Sequence, residues 1–192
     1  MMTKLITAVP VCMLVVSCGG GISAEMSTIE DTQFLAFVDD DGDGLSANNE
    51  PRLIRFSDYS AKKRPGTKVI MVNAAAGWCG PCMHEASKLS EFAAIYAPKG
   101  VAVLTAVFQK GNATAADVEF TKLWAQTFRL SIPTIVDSTF ATGKYFDVNT
   151  LPANLFINAA TAQVLTVATG AKPGNDPMKE YRDLLDHYLG EP

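Results

Sequence analysis

Histidine is nearly absent from this chain: His84 and His187 are its only two. A structural zinc site needs four Cys or His ligands at short paired spacings, and neither histidine stands at such a spacing, so zinc chemistry is set aside. Basic residues are also sparse. Lys and Arg total 16 against 20 Asp and Glu, for a net charge of −4, and form no run longer than three residues, which argues against an electrostatic surface for nucleic acid. The apolar run near the N-terminus, Leu5 to Val16, is about twelve residues and contains Pro10, too short for the ~20 that a spanning helix needs. No internal repeat is present. At 192 residues and 48% hydrophobic, the chain suits one domain with a short appendage.

The N-terminus reads as an address. Lys4 precedes the apolar run, which ends in Val15-Val16-Ser17-Cys18 followed by three glycines. This resembles the bacterial lipobox, where the cysteine is lipidated and becomes the first residue of the mature protein. Ile22-Ser23-Ala24 offers the alternative, an ordinary secretory cut after Ala24. Either way the chain is expected to be exported, and on the first reading Cys18 anchors it to a bacterial membrane, facing the periplasm or the cell exterior. The expected division is 1–17 as signal, 18–54 as a tether with an acidic turn-like segment, and 55–192 as the folded domain.

Export changes the meaning of the four cysteines. Cys12 falls in the discarded segment and Cys18 carries lipid, so Cys79 and Cys82 can pair only with each other. A brace across two intervening residues closes so small a loop that it removes little unfolded-chain entropy. Reactivity is the better reason for the pair. Lys68 to Asn73 is a compact apolar run with β-branched residues, a buried strand. From Pro81 the spacing turns helical, with Met83, Ala86, Leu89, Phe92 or Ala93, and Tyr96 recurring at three and four, and Gly100 as stop. The cysteines therefore sit at a strand-to-helix junction. Unpaired N–H groups and the positive end of the helix dipole stabilise a thiolate at Cys79, making it the nucleophile. Pro81 suits the first helical turn, where its missing N–H had no partner to lose. Cys82, one turn further in, is the resolving thiol.

Trp78-Cys79-Gly80-Pro81-Cys82 after an apolar strand resembles the thioredoxin superfamily, and the longer run VNAAAGWCGPCMHEA resembles its exported TlpA/ResA-like branch. In that branch the strand ends in Asn, here Asn73, and a Glu follows the second Cys by three residues, here Glu85. Ala74-Ala75 and Ser87 depart from the branch, which usually has aromatic residues and a proline there. The resemblance implies an α/β fold, a thioredoxin-like three-layer sandwich with a central mixed sheet flanked by helices. It also implies a redox-active Cys79–Cys82 disulfide, a protein thiol–disulfide oxidoreductase activity without a required cofactor, a disulfide-bearing protein substrate, a membrane electron donor and service in cytochrome c maturation. The Gly-Pro dipeptide is that of reducing thioredoxins, near about −270 mV, rather than of strong oxidants near about −120 mV.

The remaining elements follow in the family's order: a strand at Val101 to Phe108, a helix from Thr114 to Phe128 capped by Thr114, a short strand within Ile132 to Asp137, a strand after Pro152, its hairpin partner Val164 to Ala168, and a closing helix Pro177 to Leu189. The family has a cis proline facing the dithiol. Pro133 and Pro152 compete for that place, and Pro152 is preferred because the strand and hairpin after it match the family's last two strands. The backbone of Leu151 would then pair with an extended substrate; the plainer reading is that Pro152 only begins an edge strand. Trp78 is expected to form a contact wall beside Cys79, Asn73 to be buried with a structural hydrogen bond, and His84 to be a surface residue. Glu85 has two readings: a carboxylate that takes the proton of the resolving thiol, or a solvated first-turn residue. On either, Glu85→Gln would shift stability by no more than about 1 kcal/mol, as for an exposed helix-end charge.

A second motif precedes the domain. Asp39, Asp41, Asp43 and Glu50, with Gly44 at the sixth position, fit the twelve-residue EF-hand loop and suggest calcium. Pro51 cuts off the exit helix, so the alternative is an acidic turn leading into a strand at Arg52 to Phe56. Three function classes besides the oxidoreductase stay open: a thiol peroxidase on the same fold, for which the expected Pro-Thr-Cys arrangement is missing, a calcium-binding lipoprotein module, and an inert lipid-anchored scaffold.

Overall fold

A computed structural model describes residues 27–39, 45, 50–171 and 176–190. Cys18, Asp41 and Asp43 lie outside the described residues. Seven strands form one mixed sheet: β1 (Gln33–Phe37), β2 (Arg52–Arg55), β3 (Val69–Ala76), β4 (Val101–Gln109), β5 (Thr134–Val136), β6 (Ala153–Asn158) and β7 (Val164–Thr169), in the order β2-β1-β5-β4-β3-β6-β7. The helices are α1 (Gly80–Tyr96), α2 (Val118–Thr127) and α3 (Lys179–Leu189). β3 pairs in parallel with β4 and antiparallel with β6. It is therefore covered on both faces and both edges, which is why Val69 to Ala76 is apolar at every position but Asn73 rather than alternating.

Alternation along β3 sorts two cores. Met71, Ala75, Val103 and Phe156 face the helices with Leu89 and Phe92 of α1, Trp124 of α2, and Tyr181 and Leu185 of α3. Ile70, Val72, Leu104 and Leu155 face the other side, where Phe34, Ile54, Phe56 and Tyr59 cover them. The expected thioredoxin-like α/β architecture is present, with a second outer layer made of extended chain and 3-10 turns at Phe56–Tyr59 and Ala141–Lys144. Truncating a fully buried anchor such as Leu89 would cost about 2–5 kcal/mol.

Three expectations need correction. β1 belongs to the sheet, paired with β2 and with β5 through Ala36↔Ile135, so residues assigned to the 18–54 tether are structural. The physical reason is burial: Phe34, Ala36 and Phe37 are removed from water, which a solvated tether would not achieve. The cap of α2 is Asp117, whose carboxylate accepts the Phe120 N–H at 2.9 Å, and Thr114 instead donates to Asn112. Met83 lies off the buried stripe of α1, which runs through Cys82, Glu85, Ala86, Leu89, Phe92 and Tyr96. Gly100 ends the α1 segment as expected, in the left-handed region at φ 95°, where a Cβ would stand 2.4 Å from the Gly66 carbonyl oxygen.

Candidate active site

Cys79 is the residue at which β3 ends its turn and α1 begins. Its N–H donates to the Ala76 carbonyl at 3.0 Å, its backbone is extended, and its sulfur accepts the Cys82 N–H at 3.2 Å as the helix cap. Pro81 stands in the first turn, as its missing donor permits. The two sulfurs form a disulfide with Cα atoms 5.2 Å apart. Cys82 is wholly buried and Cys79 is 5% exposed, so an incoming group meets the first sulfur.

Trp78 is 42% exposed, and its indole N–H donates to the Gln109 side chain at 2.9 Å, holding the ring beside the junction. Gly77 makes the close approach behind it possible. A Cβ there would lie 2.5 Å from the Phe120 ring and 2.8 Å from the Gly111 nitrogen. On the other side of β3, the Leu151–Pro152 peptide bond is cis. The register Ala74↔Ala153 brings that bond to the end of β3 from which the chain enters Cys79. Pro152 is buried and Leu151 half-buried. The Pro152 carbonyl accepts the Gly170 N–H at 2.9 Å.

Glu85 is 3% exposed, so the solvated reading is overturned. Its side chain points into the space between α1, the sheet and α3. Tyr181 donates its hydroxyl to Oε1 at 2.5 Å, while Asn73 and Asn154 donate to Oε2 at 3.0 and 3.1 Å. Asn73 also donates to Asn154 Oδ1 at 3.0 Å and accepts from the Thr105 hydroxyl at 3.0 Å. The sheet register explains the arrangement: Asn73↔Thr105 and Asn73↔Asn154 set three polar side chains abreast on adjacent strands, facing one helix turn. Burial pushes the Glu85 carboxyl up to about 7, against the opposing pull of the bonds from Tyr181, Asn154 and Asn73. Tyr181 is itself driven upward, first by burial and then by the Glu85 charge.

Asn73 is thus buried as expected, with three side-chain bonds rather than one, and His84 is exposed as expected. Asn154, Thr105, Tyr181 and Gln109 were not singled out from sequence. Two of them leave a signal: an Asn inside the apolar run of β6, and a Tyr on the buried stripe of α3 whose hydroxyl must find a partner. Among the described residues no cluster of three His, Cys, Asp or Glu could hold a metal ion. Asp39 and Glu50 are described, and the other two residues of the calcium reading, Asp41 and Asp43, lie outside the described residues.

The sequence profile of the redoxin family matches residues 48–185, more than two thirds of the chain. No curated protein sequence matches it. Solved structures do. A Chlorobium tepidum protein classed as a thiol:disulfide interchange protein DsbE is similar at TM-score 0.61 and 18% identity, over 85% of this chain and 96% of that one. A secreted Mycobacterium tuberculosis disulfide oxidoreductase homologous to E. coli DsbE gives 0.53 and 18%, over 82% and 94%. AhpC of Enterococcus faecalis gives 0.55 and 13%, over 84% and 90%. At these identities the likeness is one of fold.

Proposed function

The chain belongs to the redoxin family, and from that premise we propose that it is an exported, lipid-anchored thiol–disulfide oxidoreductase that reduces protein disulfides. The observation that carries the activity is the pair itself: Cys79 caps α1 at the reachable end, and Cys82 is buried one turn inside. In the reduced protein the Cys79 thiolate, favoured by the helix N-terminus, attacks one sulfur of a substrate disulfide R–S–S–R′. A Cys79–S–S–R bond forms, and R′S⁻ leaves and takes up a proton. Cys82 then gives its proton to Glu85 and attacks the Cys79 sulfur. RS⁻ leaves, the Cys79–Cys82 disulfide closes, and two electrons have passed to the substrate. A membrane dithiol donor returns them.

Glu85 suits that proton step because it follows Cys82 on the same buried face and stands near pH 7. Trp78 walls the approach to Cys79, and the Leu151 backbone, ahead of the cis proline, supplies a strand edge for an extended substrate. Export and anchoring rest on Leu5 to Val16 and Val15 to Cys18, and cytochrome c maturation on the resemblance of the motif region. Calcium in the Asp39 to Glu50 loop rests on its spacing alone, and a calorimetric titration decides it.

The test is insulin reduction. Wild type should catalyse it, Cys79→Ser should not, and Cys82→Ser should accumulate a mixed disulfide on Cys79. Absence of both turnover and trapped adduct overturns the proposal. Peroxide consumption faster than insulin reduction would favour the peroxidase alternative that the AhpC fold likeness keeps in view. A mature N-terminus at Glu25 in the mass spectrum would overturn the lipid anchor.

A further inference from the structure

The N-terminal segment and the dithiol stand at opposite ends of the sheet. Ser27, the first described residue, accepts the Val164 N–H at 2.8 Å, and Ile29 donates to the Ala162 carbonyl at 2.8 Å, so the chain enters the domain beside the turn between β6 and β7. That turn lies at the start of β3, where Val69 pairs with Asn158. Cys79 follows the other end of β3, at Ala76. Eight residues of strand at ~3.3 Å each separate the two ends by about 26 Å.

The end beside Ser27 is also where cations gather. Lys62, Lys63, Arg64 and Lys68 are exposed on the segment that leads into β3, and Lys99 stands just past the close of α1. Backbone bonds hold these pieces together: Ala61 donates to the Ala159 carbonyl at 2.9 Å, Ala159 to the Lys68 carbonyl at 3.0 Å, and Lys68 to the Gly100 carbonyl at 2.7 Å. Residues 65–68 and 97–101 line one open cleft. Local structure accounts for three of the charges. Lys63 pairs with Asp58 at 2.5 Å, Arg64 lies 4.0 Å from the centre of the Tyr59 ring, and Lys99 lies over Tyr96 at a helix C-terminus, where the dipole favours a cation. Lys62 and Lys68 meet no carboxylate among the described residues. The carboxylates at this end, Asp31, Asp58 and Asp186, are engaged by Ser57, Lys63 and Tyr96, and the five cations outnumber them.

We propose that this end is a membrane-docking face: the basic cluster settles against anionic phospholipid headgroups and presents the dithiol to the aqueous side, away from the bilayer. The inference rests on the lipid-anchor reading above. The stretch from Cys18 to Ser27 reaches at most ~30 Å, so a lipid on Cys18 confines Ser27, and the cluster with it, near the surface. There each Lys or Arg strengthens attraction to an anionic bilayer about fivefold. The acyl chains hold the protein, and the cluster orients it. An acidic protein would satisfy the same charges, but the anchor brings a bilayer to this end. A membrane donor must then carry its thiols about 26 Å clear of the headgroups, and aqueous substrates reach Cys79 without crossing the docked face.

The experiment uses the protein as purified from cells, its mass reporting whether Cys18 carries lipid, reconstituted on vesicles of phosphatidylcholine with or without phosphatidylglycerol. Amide hydrogen exchange is read by mass spectrometry over residues 61–68 and 78–83. Phosphatidylglycerol should slow exchange several-fold over 61–68 and leave 78–83 unchanged. The effect should vanish in 1 M salt, where the Debye length is ~3 Å, and in the double variant Lys62→Gln/Lys68→Gln, whose insulin reduction should match wild type. Equal exchange on the two vesicles, protection that survives the double variant, or protection over 78–83 instead overturns the docking face and leaves the anchor standing. An unmodified Cys18 sinks the anchor, and the same protein added to preformed vesicles then decides the docking face by itself. Flotation with the anionic vesicles that the double variant weakens about 25-fold supports it, and no flotation overturns it.

Discussion

The Tyr181 hydroxyl meets Glu85 Oε1 at 2.5 Å, joining residues 96 positions apart in the chain. It ties the closing helix to the helix that starts at the dithiol, and makes the acid beside Cys82 depend on a residue from the far end of the domain. The ionised form of Glu85 accepts three donors, yet burial outweighs them and holds its carboxyl at about 7, up from 4.5.

Stability should therefore fall with rising pH. Between pH 4.5 and 7 the folded protein holds a proton on Glu85 that the unfolded chain has released, so the contribution is complete below about 4.5 and lost as pH rises through about 7. The full difference is about 3 kcal/mol. Urea unfolding of the oxidised protein at pH 4.5, 6 and 8 should show this slope, and Glu85→Gln should flatten it, since Gln can accept from both Asn73 and Asn154 while its amide faces the Tyr181 oxygen. An unchanged slope in the variant would assign the pH dependence to another group. The 1 kcal/mol limit expected for an exposed Glu85 does not apply to this buried one.

Tyr181→Phe removes one donor to the carboxylate and leaves the ring packing of Phe156 and Tyr181, with centroids 6.1 Å apart, in place. The Glu85 carboxyl should titrate above its wild-type value, because the lost bond favoured the ionised form. The stability loss should be about 1–3 kcal/mol and larger at pH 8 than at pH 5. Carboxyl carbon NMR of Glu85 checks the direction. A titration that does not move would mean that the hydroxyl contributes packing only.

In the reduced protein, Cys79 should be alkylated by iodoacetamide roughly tenfold or more faster than Cys82 at pH 7, since one sulfur caps the helix at the reachable end and the other is sealed inside. Peptide mapping after partial reaction reads the ratio. Equal labelling would contradict the division into nucleophile and resolving thiol.

Gly77→Ala should destabilise the protein by about 1–3 kcal/mol, because the added methyl meets the Phe120 ring at 2.5 Å and backbone atoms at 2.8 and 2.9 Å. Thermal unfolding measures the loss. Adding Phe120→Leu should return part of it by freeing the space beside residue 77; no recovery would place the strain in the Lys110–Gly111 backbone instead.

The sequence by itself determined what depends on neighbours within a few residues. The buried strand β3, a helix beginning within one residue of Pro81, and the place of Cys79 at its start and of Cys82 one turn inside rest on local periodicity and a short motif, while the choice of Pro152 over Pro133 as the cis position rests on the resemblance of the strand and hairpin after it to the family's last two strands. The tertiary structure alone decided what depends on register between distant segments. Thr105, Asn73 and Asn154 become one polar row only when β4, β3 and β6 pair at that alignment, and Glu85 becomes buried only when α3 closes over it with Tyr181. At i and i+3 a helix pattern tells which face Glu85 shares with Cys82, but not whether water or another helix covers that face. The same limit explains β1: Phe34, Ala36 and Phe37 have strand-like content, yet their partner β5 lies about a hundred residues on, and only the pairing Ala36↔Ile135 turns the expected tether into sheet.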